Sequence, residues 1–353
     1  MIENFYNQKK IFLTGHTGFK GAWFSLFLKN LGADVYGYSL CPKKGQDSLF
    51  NLINLSSSIN STIGDIRDYD FLKKSLEQVQ PEIIFHFAAQ SLVRNSYLDP
   101  RYNFETNILG TVNLLEACRG INSIKCLVNI TTDKCYENKE SALLFKETDR
   151  LGGHDPYSSS KACSEIITTS YKKSFFETTK VGLATARAGN VIGGGDFSTD
   201  RILPDLFYAI KNSNKLKIRN PNAIRPWQYI LDVLFGYLIL GKNLYERPLE
   251  FSEAFNFSSH EKKNISVKQL VDQFIAITQK GEYEIESIKE DFHEAKTLNL
   301  DATKALHRLG WKSKYNIYEA LSRTSLWYKS FIEGKNVSKL CENELYDFMK
   351  KLV

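Results

Sequence analysis

The sequence predicts an α/β protein, a doubly wound parallel sheet joined to a smaller, mostly helical second lobe. Three observations carry that reading. Short apolar, β-rich runs alternate with amphipathic helical stretches through the first half of the chain. The first of these runs ends directly in a glycine-rich turn. After Asn190 the alternation stops and helical patterns take over. Strand, helix, strand at this pace means parallel βαβ units with right-handed crossovers.

Residues 10–14 (KIFLT) form the first expected strand. The helix after it covers 22–31, with Trp23, Phe24, Phe27, Leu28 and Leu31 on one face. Further strands are expected at 34–38, 60–64, 82–87, 125–131 and 181–187. Helices fit between them at 70–78, 102–118 and 157–175. Gly193-Gly194-Gly195, Asn220-Pro221 and Arg225-Pro226 then mark loops and turns. Helices are expected at 203–211, 231–244, 267–278, 302–309 and 318–331, and the lysine-rich tail at Lys350 and Lys351 reads as a solvated helix end.

A chain of 353 residues exceeds what one small core needs, so two lobes are expected. Apolar residues at 42% and charged residues at 24% exclude a disordered chain, a collagen-like fibre and a coiled-coil rod. The net charge of +6 is too thin to argue for a nucleic-acid partner, yet it is compatible with a basic pocket for an anionic ligand. No long apolar run precedes Gly15, and residues 233–240 are too short to span a bilayer, so neither a signal peptide nor a membrane anchor is expected. Six scattered cysteines form no CxxC pair, and His293-Glu294 lacks the second histidine of a zinc helix. Reduced thiols in a cytoplasmic protein, with no metal, are the expectation.

The turn after the first strand reads Thr14-Gly15-His16-Thr17-Gly18-Phe19-Lys20-Gly21. Glycines so placed permit a tight turn, let backbone approach a pyrophosphate and pack the helix close to the sheet. The helix N-terminus then offers unpaired N–H groups to the phosphates. Between a strand and a helix, this spacing points to a dinucleotide on a Rossmann sheet. The end of the second strand, Gly37-Tyr38-Ser39-Leu40, has no acid for the adenosine ribose, and Asp34 sits at the wrong end. Lys43 and Lys44 stand within reach of a 2′-phosphate or are simply solvated, so this loop leaves NAD and NADP both open. Asp65, in Gly64-Asp65-Ile66-Arg67-Asp68, either accepts from the adenine amino group or caps the next helix.

Tyr157 and Lys161 are four apart on one expected helix and share a face. Tyrosine, with a pKa near 10, is a poor base at neutral pH. A neighbouring ammonium and a cationic nicotinamide favour its phenolate. Thr131-Thr132-Asp133 closes the fifth strand, and strand ends are where open α/β sheets hold ligands.

These residues make the chain resemble the extended short-chain dehydrogenase/reductase superfamily and, within it, the CDP-glucose 4,6-dehydratases. The stretches that carry the resemblance are TGHTGFKGAW after the first strand, HFAAQSLVR at 86–94, TTDKCYEN at 131–138, LGGHDPYSSSKACSE at 151–165, ARAGNVIGGGDF at 186–197 and IRNPNAIRPWQYILD at 218–232. The likeness runs to LGW at 309–311. It implies an NAD-dependent hydro-lyase that oxidises C4 of a nucleoside-diphosphate hexose, eliminates water across C5 and C6, and returns the hydride to C6. Tyr157 would take the C4 hydroxyl proton, Lys161 would lower the tyrosine pKa and hold the nicotinamide ribose, Thr132 would hydrogen-bond the same hydroxyl, and Asp133 would protonate the departing C6 hydroxyl. By the same resemblance NAD would lie against Gly15, Thr17, Gly18, Phe19, Lys20, Gly21, Asp65, Ile66, Phe87, Ala88, Ala89, Asn107 and Thr131, besides Tyr157 and Lys161.

The triplet Thr-Asp-Lys departs from the commoner Thr-Asp-Glu, whose glutamate removes the C5 proton. Lys134 stands there, as in CDP-glucose dehydratases, and either takes that proton or stabilises the enolate as a cation. The sugar nucleotide is expected against Gln90, Ser91, Arg94, Asn190, Arg201, Arg225 and Asn256. Arginine suits a pyrophosphate because its planar fork makes bidentate contacts. Arg201 equally fits a surface helix, Asn256 a turn at a strand end, and Trp227 the core or the lobe interface. The NAD-binding domain is expected at 1–188 and about 226–258, the substrate lobe at 189–225 and 259–353. Relatives imply a homodimer or higher homo-oligomer through 102–118 and 157–175. Alternatives are a dehydratase or 4-epimerase for a GDP- or UDP-linked hexose, and a non-catalytic dinucleotide-binding protein. Asp133 and Lys134 argue against the epimerase, and intact Thr132, Tyr157 and Lys161 against the binder.

Overall fold

Seven strands line up in one parallel sheet: Lys10–Thr14 (β1), Asp34–Ser39 (β2), Asn60–Ile63 (β3), Ile83–His86 (β4), Cys126–Ile130 (β5), Gly182–Ala188 (β6) and Ala254–Phe257 (β7). Their order is β7-β6-β5-β4-β1-β2-β3, with every neighbouring pair parallel. The computed structural model describes residues 2–138, 144–259, 265–286 and 298–352. His293 and Glu294 lie outside the described residues.

The strands are apolar along their whole length because both faces of the sheet are covered. Ile11 and Leu13 of β1 join one hydrophobic core while Phe12 joins the other, and β4 and β5 alternate likewise, Ile83, Phe85, Cys126 and Val128 against Ile84 and Leu127. Helices Phe19–Asn30 and Ile230–Glu246 belong to the first core, Tyr69–Val79 and Gly110–Cys118 to the second. The order in which the chain adds strands reverses between β4 and β1, all of them parallel, and this switch opens a crevice at their carboxyl ends.

Expected and observed elements agree to within a few residues, with instructive differences. The helix after β1 begins at Phe19, earlier than its apolar face, because Gly18 turns straight into it. The expected helix at 102–118 is Pro100–Phe104, a π-helical turn at Glu105–Leu109, and then Gly110–Cys118. The expected helix at 157–175 is Pro156–Tyr171 followed by a second π-helical turn at Lys172–Phe176. Besides one-turn helices such as Leu49–Leu52 and Pro248–Phe251, the helices not anticipated among the described residues are Val93–Leu98, and Val337–Lys350, which buries Val337, Cys341, Leu345 and Phe348. The latter is therefore a packed helix whose last turn alone is solvated. Strand β7 was also absent from the expectations.

Three small strand pairs shape the region after β6: Val191–Ile192 with Gln228–Tyr229, Ile224–Arg225 with Ile265–Ser266, and Leu216–Ile218 with Tyr283–Ile285. They bring residues 190–225 over the carboxyl ends of the strands. Among the described residues no helix is long and apolar enough to cross a membrane.

Candidate active site

A cavity of about 630 Å³ opens at the carboxyl ends of the strands, between the glycine turn and residues 188–227. Its floor is the turn after β1. Gly15 has φ +77°, and a Cβ there would meet Ala88 N at 2.7 Å. A Cβ on Gly21 would meet Gly15 O at 2.1 Å. No side chain caps the Phe19–Asn30 helix, so its first N–H groups are left for a ligand. Bare backbone leading into a helix N-terminus is the shape a pyrophosphate requires, so the residues present fit a dinucleotide. Gly15, Thr17, Gly18, Phe19, Lys20, Gly21, Asp65, Ile66, Phe87, Ala88 and Ala89 all line the cavity. Beneath them, Thr14 Oγ1 accepts from Ala88 N and pairs with His86 Nδ1 at 2.7 Å, fixing the ends of β1 and β4 together.

At the end of β2, Thr17 Oγ1 bonds Ser39 Oγ at 2.8 Å and donates to Leu40 O. Asp34 opens β2 opposite Lys10, at the far edge of the sheet. Lys43 and Lys44 do not line the cavity. The Asp65 carboxyl is gripped by Arg67, with Nη2 at 2.7 Å, and that contact holds it below its usual range. The cap of the next helix is Asp68, which accepts from Phe71 N at 3.1 Å, so Asp65 is free of that task.

Asp155 caps the Pro156–Tyr171 helix through a reciprocal box with Ser158, and this sets where Tyr157 enters the cavity. One turn on, Lys161 Nζ donates to Ile130 O at 3.1 Å, at the tip of β5. Burial lowers the Lys161 ammonium to about 8, against the pull of Glu165. Burial also pushes the Tyr157 phenol up to about 12, while the Thr132 hydroxyl draws it down. The cation that draws the phenol down is Arg201, where Lys161 was expected, and desolvation outweighs that pull in the protein alone.

Thr131, Thr132 and Lys134 line the cavity, while Asp133 lies just behind them, wholly buried. Asp133 Oδ1 accepts from Thr132 Oγ1 at 2.9 Å and lies 3.2 Å from Lys134 Nζ. Its Oδ2 has no partner among the described residues. Lys134 Nζ also donates to Asn190 Oδ1 at 3.4 Å. Burial lowers Lys20 to about 7, and Arg201, Lys161 and Lys134 push the same way. Four cationic side chains therefore converge on one end of the cavity.

Ser91, Arg94, Asn190, Arg201 and Arg225 also line the cavity. Arg201 donates to Asp196 Oδ2 at 3.0 Å and to Ser91 Oγ at 3.4 Å, so it is tied into the cavity wall and is not a free surface residue. Arg94 pairs with Asp200 at 3.7 Å. Trp227 belongs to the main core and also lines the cavity.

Three expected contact residues lie elsewhere. Asn256 is wholly buried, accepting from Tyr136 OH at 2.7 Å and donating to the carbonyls of Phe145 and Asp301. Its amide is spent on the protein. Gln90 folds onto its own turn, exchanging hydrogen bonds with Leu92. Asn107, on the first π-helical turn, clamps the Gln90 backbone through both side-chain atoms and donates to Ser160 Oγ, so it braces the cavity from below.

A profile of the family described as GDP-mannose 4,6 dehydratase matches residues 12–324. The chain belongs to this dehydratase family. A CDP-glucose 4,6-dehydratase of Salmonella typhimurium is 42% identical over 98% of both chains. A dTDP-glucose 4,6-dehydratase of the same organism is 27% identical, over 90% of this chain and 92% of its own. Among solved structures, the dTDP-glucose 4,6-dehydratase of Bacillus anthracis in complex with NAD superposes with a TM-score of 0.76 at 22% identity, covering 93% of this chain and 99% of that one. The epimerase Mth375 of Methanothermobacter thermautotrophicus gives a TM-score of 0.80 at 23% identity, covering 94% and 95%.

Within this dehydratase scaffold the structure adds residues that sequence reasoning missed. Glu165 accepts from Thr131, from Thr185 at 2.7 Å and from Arg187 Nε at 2.9 Å and Nη2 at 2.8 Å. Arg187 Nη1 continues to Tyr136 OH at 2.8 Å. This buried pair ties the end of β5, β6 and the Tyr157 helix together beside the turn at residues 131–136. One signal was available: Glu165 lies one turn beyond Lys161. Tyr136, Asp196 and Arg219 also line the cavity.

Proposed function

We propose that this chain is a CDP-glucose 4,6-dehydratase that works with bound NAD. The observation that carries the reading is the 42% identity over 98% of the chain to an enzyme of that name, with Thr132, Lys134, Tyr157 and Lys161 around one cavity and Asp133 directly behind it. Oxidised NAD, when bound, would take the C4 hydride and return it to C6, and its cationic ring would favour the Tyr157 phenolate. Tyr157 takes the C4 hydroxyl proton, with Lys161 as its cationic neighbour and Thr132 orienting the hydroxyl. The 4-keto group then acidifies C5, and Lys134 removes that proton. Asp133 gives a proton to the C6 hydroxyl, which leaves as water. Arg225 and Arg201 hold the pyrophosphate, with Ser91, Arg94 and Asn190 completing the substrate wall. NAD rather than NADP suits a ribose end lined by Thr17, Ser39, Leu40 and Asp65, where no lysine or arginine stands among the lining residues.

The division into a dinucleotide-binding domain (1–188 and about 226–258) and a substrate lobe (189–225 and 259–353) belongs to the same proposal. So does a homodimer. The helices at 93–118 and 156–171 leave Leu98, Leu109 and Ile166 exposed, apolar surface suited to pairing with a second copy. A cytoplasmic setting suits six cysteines that are all free. The test is incubation with NAD and, in parallel, CDP-, UDP-, GDP- and dTDP-glucose. Only CDP-glucose should yield a product absorbing near-ultraviolet light in alkali, as 4-keto sugars do, and NADH should not accumulate. Stoichiometric NADH, or preference for another nucleotide, overturns the reading.

A further inference from the structure

Elimination asks two groups on one short turn to act on adjacent carbons of the sugar. On the dehydratase reading above, on which this argument rests, they are Lys134 at C5 and Asp133 at the C6 hydroxyl. Both sit in the single helical turn Asp133–Cys135. That turn is weakly held from within. Lys134 N reaches Thr132 Oγ1, and Cys135 N reaches Thr132 O, each at 3.4 Å, longer than a good hydrogen bond. Its shape is therefore set by its ends.

Upstream, Thr131 donates from its N–H to Ala186 O at 2.9 Å and from its hydroxyl to Glu165. Downstream, Cys135 O accepts from Gly152 N, and Glu137 N donates to Arg150 O, both at 2.9 Å. These bonds reach only a loop segment, and the tie from this end to the sheet is Tyr136. Its hydroxyl accepts from Arg187 Nη1 at 2.8 Å and donates to Asn256 Oδ1 at 2.7 Å. Arg187 and Asn256 are register partners on β6 and β7. The ring stacks on Phe145 with centroids 5.0 Å apart, and the Arg187 guanidinium lies 4.9 Å from its centre. Arg187 is in turn forked onto Glu165, the carboxylate that also holds Thr131. One buried ion pair thus fixes both ends of the turn.

The oxidation side has anchors of its own. Tyr157 N donates to Ser96 Oγ at 3.1 Å, and Lys161 Nζ to Ile130 O at 3.1 Å. Neither passes through Tyr136. We propose that Tyr136, held by Arg187, is a positioning residue that aims Lys134 and Asp133 at C5 and C6, and that it serves elimination rather than C4 oxidation. Tyr136 is no acid or base itself. Its oxygen is spent on Arg187 and Asn256, and burial raises its phenol above the usual range, against the pull of Arg187.

The test follows the two steps separately, in holoenzyme given CDP-glucose deuterated at C5. NADH absorbance in a single turnover reports C4 oxidation, and loss of deuterium with product formation reports elimination. Tyr136→Phe keeps the ring and its stack on Phe145 but removes the hydroxyl. It is expected to oxidise C4 close to the wild-type rate, while deuterium loss and product formation fall about ten- to a hundredfold, the cost of a misplacement of about 1 Å. Bound NADH should then persist in the variant. Arg187→Lys keeps a charge for Glu165 but loses the fork that also reaches Tyr136, and should show the same split. The double variant should be no worse in elimination than the more impaired single one, because both changes break one link. Oxidation and elimination slowed alike, wild-type deuterium loss in either variant, or additive losses in the double variant overturn the positioning role and leave the dehydratase reading intact. Absence of 4-keto-6-deoxy product from the wild type overturns the dehydratase reading instead.

Discussion

On the proposed function, Tyr157, Arg225 and Lys134 each make a separate expectation. Tyr157→Phe should lower kcat by about 10²–10⁴, the range for losing a positioned general base. Binding of CDP, followed by calorimetric titration, should survive because the phenol oxygen contributes little contact. Arg225→Ala should raise KM for CDP-glucose about ten- to a hundredfold, since a charge-assisted contact is worth about 1.5–3 kcal/mol. Lys134→Met should still oxidise C4 once and then stall as the 4-keto hexose, with deuterium washout at C5 abolished. Continued washout at the wild-type rate would reduce Lys134 to electrostatic support. The residues legible in the sequence were those whose reactive groups sit at strand ends or at fixed helical spacing, such as Thr132 and the Tyr157–Lys161 pair. Asn256 misled because a motif position does not reveal that its amide is consumed by Tyr136, Phe145 and Asp301. The Glu165–Arg187 pair was hidden because nothing local says that an arginine on β6 turns inward.

At the level of elements, the glycine turn works by excluding side chains. Gly21→Ala would place a Cβ 2.1 Å from Gly15 O, so the turn must shift. A loss of about tenfold or more in NAD affinity, read by titration of bound nucleotide fluorescence, is expected. The Ile230–Glu246 helix shows a different device near its start. Asp232 accepts from Lys314 N at 2.6 Å and Tyr315 N at 3.1 Å, stitching the chain after Trp311 to this helix. Burial raises its carboxyl to about 7, with those two backbone bonds opposing. The unfolded chain releases the same proton near pH 4. The folded state therefore binds more protons between about pH 4 and 7, and this group's contribution to stability falls as pH rises through that window. Denaturant unfolding at stepped pH should show that slope in wild type and a shallower one in Asp232→Asn. Equal slopes would mean that Asp232 ionises as freely in the fold as outside it. The Val337–Lys350 helix was legible in principle from Cys341, Leu345 and Phe348 at helical spacing, yet its many charges masked the stripe. The π-helical turn carrying Asn107 was not legible, since a single π turn is too short to set an apolar period of its own.

For the molecule as a whole, the alternation of strands and helices, together with one glycine turn, was enough to place the cavity. Periodicity reports which faces are buried, and in a parallel sheet that settles topology up to strand order. The region after β6 was less legible because most of its strands are two or three residues long and their position depends on loop pairing rather than on periodicity. Self-association is the remaining property at this scale. Leu109→Asp with Ile166→Asp should halve the mass in light scattering if the exposed helices pair, and an unchanged mass would move the interface elsewhere. The central claim is that one hydride leaves C4 and returns to C6 of the same sugar. CDP-glucose carrying deuterium at C4, turned over by the holoenzyme and examined by nuclear magnetic resonance and mass spectrometry, measures this directly. The account predicts a 4-keto product with the deuterium at C6 and none in free NADH, whereas deuterium retained at C4, washed into solvent or trapped on the nicotinamide would contradict it.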